Sequence, residues 1–91
     1  KVLTPKELEK YHTLPFKRKV EFLAGRFAAK EAYAKALGTG IGQHVSFQDI
    51  EVLNDATGKP VLVCERYSNQ TWISITHTSH DAYAVVVLES N

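Results

Sequence analysis

Arg26-Phe27-Ala28-Ala29-Lys30-Glu31-Ala32-Tyr33-Ala34-Lys35 is a strongly helical, nearly apolar stretch broken by charges. The spacing around it predicts one long helix over residues 16–37. Phe16, Val20, Leu23, Phe27, Ala34 and Leu37 recur at three- and four-residue steps and define the expected buried stripe. The missing step falls on Lys30 and Glu31. Ala24, Ala28, Ala32 and Ala36 form an i+4 ridge, expected to let another element approach and to keep Glu31 from lying wholly in water. Glu31 and Lys35 share a helix face. A carboxylate and an ammonium four residues apart are equally an ordinary helix pair worth about 0.2–0.5 kcal/mol. Gly25 inside the helix costs about 1 kcal/mol relative to Ala, which is tolerated where another backbone packs against it. Gly38 supplies a left-handed C′ position that ends the helix.

Outward from the helix, Thr4-Pro5-Lys6-Glu7 reads as a capping box with Pro at the first helical position, opening a short helix to about Tyr11. Pro15 separates the two helices. After Gly42 the period and residue type change, and strands are expected over 50–53, 61–64, 71–76 and 82–89, with 54–60 as the clearest hairpin loop. Val85-Val86-Val87-Leu88 is a continuous apolar run that needs cover on both faces, while the chain has one long helix to supply it. The second face is therefore expected to meet another subunit.

Ninety-one residues make one small domain. A domain of this size buries only about 60–65% of its unfolded surface, so oligomerisation would help it. The single cysteine, Cys64, forms no internal disulfide, and the absence of a signal peptide or long apolar run implies a cytoplasmic protein with no membrane partner. The net charge of +1 hides an asymmetry: residues 16–42 hold six basic and two acidic side chains, residues 43–91 two basic and six acidic. The basic half is the better surface for phosphate or an acidic partner. Lys17, Arg18 and Lys19 at a helix start oppose the macrodipole, which favours docking over local stability. No stacking motif or helix-turn-helix pattern accompanies them, so nucleic acid is not expected.

Three stretches carry a resemblance: Arg26 to Lys35, then Gly38-Thr39-Gly40-Ile41-Gly42, then Ser74-Ile75-Thr76-His77-Thr78. In that order and spacing, with residues 47–52 and Gly58-Lys59-Pro60 between them, the chain resembles bacterial holo-acyl carrier protein synthase, a family of 4′-phosphopantetheinyl transferases. The resemblance covers essentially the whole chain. It implies an α+β fold, a long helix packed on a small antiparallel sheet, in a trimer with sites at subunit interfaces. It also implies magnesium-dependent transfer of 4′-phosphopantetheine from coenzyme A to a serine of acyl carrier protein, releasing adenosine 3′,5′-bisphosphate. The family opens with a Gly-Ile-Gly-x-Asp strand and a basic helix. This chain starts at Lys1 without them, so it looks like a single transferase domain over 1–91 that lacks the first metal carboxylate, partnered by a separate N-terminal fragment or cut from a longer chain.

The resemblance assigns roles residue by residue. Glu31 matches the second metal carboxylate; magnesium takes oxygen ligands and needs one or two carboxylates plus the pyrophosphate. Lys35 matches a lysine near the reacting phosphate, as pyrophosphate ligand or general acid. Lys30 is a second phosphate candidate, although an isolated lysine is as readily a snorkelling surface residue. His77 and Thr78 match the coenzyme A site, His77 as contact first and proton carrier second. Alternation puts Ile73 and Ile75 on one strand face with His77, where a lone histidine is as readily structural. Gly58, Lys59 and Pro60 read as a plain turn, and by resemblance contact the adenosine bisphosphate end of coenzyme A across a subunit interface. Residues 38–42 are not a phosphate loop, since they follow a helix C-terminus whose dipole disfavours anions. His77 and His80 make only His-x-x-His, without a supporting carboxylate or thiol, so zinc is not expected. The rival from another class is a nonenzymatic module that uses the basic helix to bind an acidic protein or RNA.

Overall fold

Thr4 and Glu7 start the fold with the expected reciprocal cap. A computed structural model of the chain describes residues 2–67, 70–78 and 81–89. Helix α1, Pro5–His12, begins where Glu7 N donates to Thr4 Oγ1 at 3.4 Å and Thr4 N donates to a Glu7 carboxylate oxygen at 2.8 Å. Pro15 separates it from α2, Phe16–Ala36. Gly38, at φ 87°, turns the chain out of α2, and the N–H groups of Thr39 and Gly40 both return to the Ala34 carbonyl. A single 3-10 turn, Phe47–Asp49, leads into strand β1, Ile50–Asn54, followed by β2, Pro60–Cys64, β3, Gln70–His77, and β4, Ala82–Glu89.

The α+β class is as expected, but the sheet is divided. Strands β1 and β2 form one antiparallel hairpin, from Ile50 opposite Cys64 to Asn54 opposite Pro60. Strands β3 and β4 form another, from Gln70 opposite Glu89 to His77 opposite Ala82. β2 lies beside β3 without a shared ladder among the described residues. Both hairpins turn their inner faces to α2. Ala29, Tyr33 and Ala34 meet Val45, Ile50, Val52, Leu62 and Cys64 in the core, with Ile73, Ile75, Val86 and Leu88 packed against it. Tyr33 and Ile50 are fully enclosed; burial of side chains of this size contributes about 1.5–3 kcal/mol each.

The face that α2 buries matches the expected stripe only at its C-terminal end, where Ala34 is enclosed and Leu37 packs against the core. Phe22, Gly25, Arg26, Ala29, Lys30, Tyr33 and Ala34 are buried. Phe16, Val20, Leu23 and Phe27 remain exposed, Phe16 by 82%. The sheet settles where the helix is narrowest, on Gly25 and Ala29, because small residues let β3 and β4 approach the axis. The Ala24, Ala28, Ala32, Ala36 ridge is half-buried or exposed. The exposed stripe runs instead toward Glu31 and Lys35. In the last strand, Ala84, Val86 and Leu88 point inward against the core, while Val85 and Val87, on the second face expected to need cover, are 64% and 53% exposed.

Candidate functional site

Lys30 lies on the inner face of α2 and is fully enclosed. Its ammonium donates to the Val2 carbonyl at 2.6 Å, the Phe47 carbonyl at 3.0 Å and the Glu7 carboxylate at 2.6 Å, which uses all three protons. Burial pushes the ammonium below the ordinary lysine value, with Glu7 opposing that shift. Lys30 is therefore a structural cation and does not reach a substrate phosphate, which corrects the expectation from its place beside Glu31. Helical spacing turns successive side chains by about 100°, so neighbours in sequence face different partners.

His77 and Gly58 come together. Both line a cleft of about 880 Å³ that also takes in the cations Lys10, Arg18 and Arg26, the acids Glu21 and Asp55, and Asn54. The turn that presents Gly58 is built by Asp55, whose carboxylate accepts from the Thr57 hydroxyl at 2.6 Å, the Thr57 N–H at 2.9 Å and the Lys59 N–H at 3.0 Å. These donors, the Thr57 hydroxyl first, hold the Asp55 carboxyl below its usual value. Gly58 at φ 89° closes the turn, its carbonyl accepting from Asn54 Nδ2 at 3.0 Å. Lys59 is exposed and Pro60 opens β2, outside that cleft's lining. Thr78 lines an adjoining apolar hollow with His77, its N–H donating to the Asp81 carbonyl at 2.8 Å. His80 lies outside the described residues.

Arg26 is the feature of the cleft that sequence reading missed. Its guanidinium stacks 4.1 Å from the Phe22 ring centre and donates through Nη2 to Asn54 Oδ1 at 3.0 Å. Nε is buried with no partner. A buried cation with a spare donor in a basic cleft suits an anion, since the planar fork matches phosphate oxygens. The available signal was an arginine among small residues in α2, but its partner Asn54 lies 28 positions away.

Glu31 and Lys35 sit apart from this cleft. Five residues beyond Arg26, Glu31 is displaced by about 140° around the α2 axis. It is half-buried and Lys35 is exposed, and among the described residues neither makes a hydrogen bond or ion pair. The ordinary i,i+4 pair is not formed. An uncommitted carboxylate and a free ammonium on one helix face fit a cation and a phosphate. Among the described residues no three His, Cys, Asp or Glu side chains cluster as a metal site, so Glu31 would share an ion with substrate oxygens.

The profile of the 4′-phosphopantetheinyl transferase superfamily matches residues 1–88. The chain belongs to that superfamily. The transferase fold is also close to solved relatives. A holo-(acyl-carrier-protein) synthase from Bacillus anthracis, crystallised in complex with CoA (3′,5′-ADP), is 52% identical with a TM-score of 0.94, covering 99% of this chain and 77% of its own. The Helicobacter pylori holo-[acyl-carrier-protein] synthase in complex with coenzyme A is 34% identical with a TM-score of 0.83, over 97% of this chain and 77% of its own. The holo-[acyl-carrier-protein] synthase of Anoxybacillus flavithermus is 54% identical over 89 residues, 98% of this transferase chain and 74% of that relative. Among the described residues no helix is long and apolar enough to cross a membrane.

Proposed function

We propose that this chain transfers 4′-phosphopantetheine from coenzyme A to a serine of apo acyl carrier protein, with residues 1–91 as one cytoplasmic transferase domain. The observation that carries the reading is the cleft where His77 and Gly58 meet Lys10, Arg18 and Arg26; Glu21, paired with Arg18, and Asp55 also line it and leave the cations in excess, which suits the anionic end of coenzyme A. The serine oxygen bonds to the phosphorus that bears pantetheine, and the bridging P–O bond breaks. The bridging oxygen leaves on adenosine 3′,5′-bisphosphate, and the hydroxyl proton passes to a base. Arg26 and His77 hold nucleotide phosphate oxygens, Gly58 admits them close to the backbone, and Thr78, Lys59 and Pro60 flank them. Lys35 holds the pyrophosphate or protonates the leaving oxygen. Glu31, together with pyrophosphate oxygens, would hold magnesium, which when bound neutralises charge on the transferring group.

Mixing the complete protein with coenzyme A, magnesium and apo acyl carrier protein should release adenosine 3′,5′-bisphosphate. A nonenzymatic binding module would release none. Lys35→Ala should lower kcat by about tenfold or more while leaving the assembly's mass unchanged, because its partner is a phosphate. Unchanged kinetics would return Lys35 to the surface. The acidic carrier protein docks on the basic start of α2, where Lys17, Arg18 and Lys19 cluster.

The assembly we propose is a homotrimer. The cleft and the Glu31–Lys35 face point away from each other, so the cleft of one copy and Glu31 of the next complete a site. Support comes from the outer face of β3 and β4, where Trp72, Tyr83, Val85 and Val87 are about half exposed or more. Val87→Glu would bury a charge in that interface and should give monomers by light scattering with transfer lost. A trimer mass for the variant would rule out this face.

A further inference from the structure

We propose that Gly25 is a positioning residue: the missing side chain at this turn of α2 sets the depth of the His77 ring at the mouth of the cleft. This rests on the reading of His77 as a coenzyme A contact. Gly25 is buried at mid-helix, where alanine would be the stronger helix former. A Cβ at this position would lie 3.0 Å from His77 Cε1, 3.4 Å from His77 Nε2 and 3.3 Å from Ile75 Cγ2. The expectation that another backbone packs here is thus corrected, since the neighbour is an imidazole.

The contact falls on the reactive edge of the ring. Cε1 and Nε2 are the atoms against the helix, and Nε2 is one of the two ring nitrogens that bind and release the proton. Among the described residues His77 makes no hydrogen bond that would hold the ring, so packing on Gly25 sets its position. The ring also separates two spaces, the basic cleft with Arg26 and Gly58 and the apolar hollow lined by Phe16, Val20 and Ala24. An added methyl must push the ring outward by a few tenths of an ångström or more. A hydrogen bond to a phosphate oxygen weakens over that range.

A double-mutant cycle in the complete protein tests the idea, with Gly25→Ala, His77→Ala and both together. Gly25→Ala should raise KM for coenzyme A about three- to tenfold with a smaller change in kcat, within the range of coupled neighbours. It should shift the His77 Cε1–H resonance and leave the thermal midpoint equal or higher. In the His77→Ala background the same methyl should add nothing to KM. If Gly25→Ala alone fails to fold while the double variant folds, the clash with the ring is shown directly. An equal effect of Gly25→Ala with and without the ring, or failure of both to fold, would place its role in helix packing and overturn the proposal. An unchanged KM in His77→Ala would instead overturn the reading of His77 itself.

Discussion

Replacing Lys30 with Met should remove about 3–5 kcal/mol of folding stability, the cost expected when one partner of a buried ion pair is lost. Both side chains are 0% exposed. One Glu7 oxygen takes the Lys30 ammonium and Thr4 N–H, while the other accepts the Val52 N–H at 2.6 Å. With the Val2 and Phe47 carbonyls on Lys30, one network ties α1, α2 and β1 to the chain ahead of α1 and the 3-10 turn ahead of β1. All three ammonium protons are used and both carboxylate oxygens are engaged, so loss of either partner leaves a buried charge without its counter-ion. A domain of this size has about 5–13 kcal/mol in total, so the variant loses a large share of it. Glu7→Gln should cost a comparable amount. The double variant Glu7→Gln, Lys30→Met should recover the part due to unpaired charge, but not the part due to the Thr4 and Val52 donors. Urea unfolding of the three variants measures this, and single variants within 1 kcal/mol of the parent would remove the network from the account of stability.

That network shows where sequence reading succeeds and where it stops. The capping box at Thr4 and Glu7 was legible because its two bonds span three residues and depend on residue type alone. Glu7's second role was not, since its partners Lys30 and Val52 lie 23 and 45 positions away. The hairpin at 54–60 and the end of α2 at Gly38 were legible for the same local reason. The buried face of α2 was misread because both faces are apolar: Phe16, Val20, Leu23 and Phe27 on one, Phe22, Ala29 and Tyr33 on the other. Periodicity finds an apolar stripe but does not say what covers it. Small residues decided the matter, since Gly25 and Ala29 let the hairpins approach. The candidate site divides along the same line. Glu31, Lys35 and His77 stood out through motif order, whereas Arg26 became visible only when the fold set its guanidinium against Asn54 in the cleft.

Glu31→Gln should lower transfer by about 10²-fold or more at saturating magnesium, the scale on which loss of one charge-stabilising group acts at a phosphoryl or acyl centre. Its stability should stay within about 0.5 kcal/mol of the parent, as for surface substitutions that break no network. The contrast with Lys30 is the point. The two are adjacent in sequence, yet Lys30 satisfies three acceptors inside the protein while Glu31 satisfies none among the described residues. A half-buried carboxylate with no partner pays part of a desolvation cost without return from the fold. A ligand arriving from outside supplies that return. Glutamine keeps the shape and one carbonyl oxygen but loses the charge, so it separates charge from packing. Four measurements should divide into two pairs: initial rates across a magnesium titration fall and the signal of manganese bound in the presence of coenzyme A weakens, while the thermal midpoint and assembly mass hold. Rates and manganese binding that match the parent would end the assignment of Glu31 as a ligand. A midpoint that falls together with the rates would instead place Glu31 in the packing of α2.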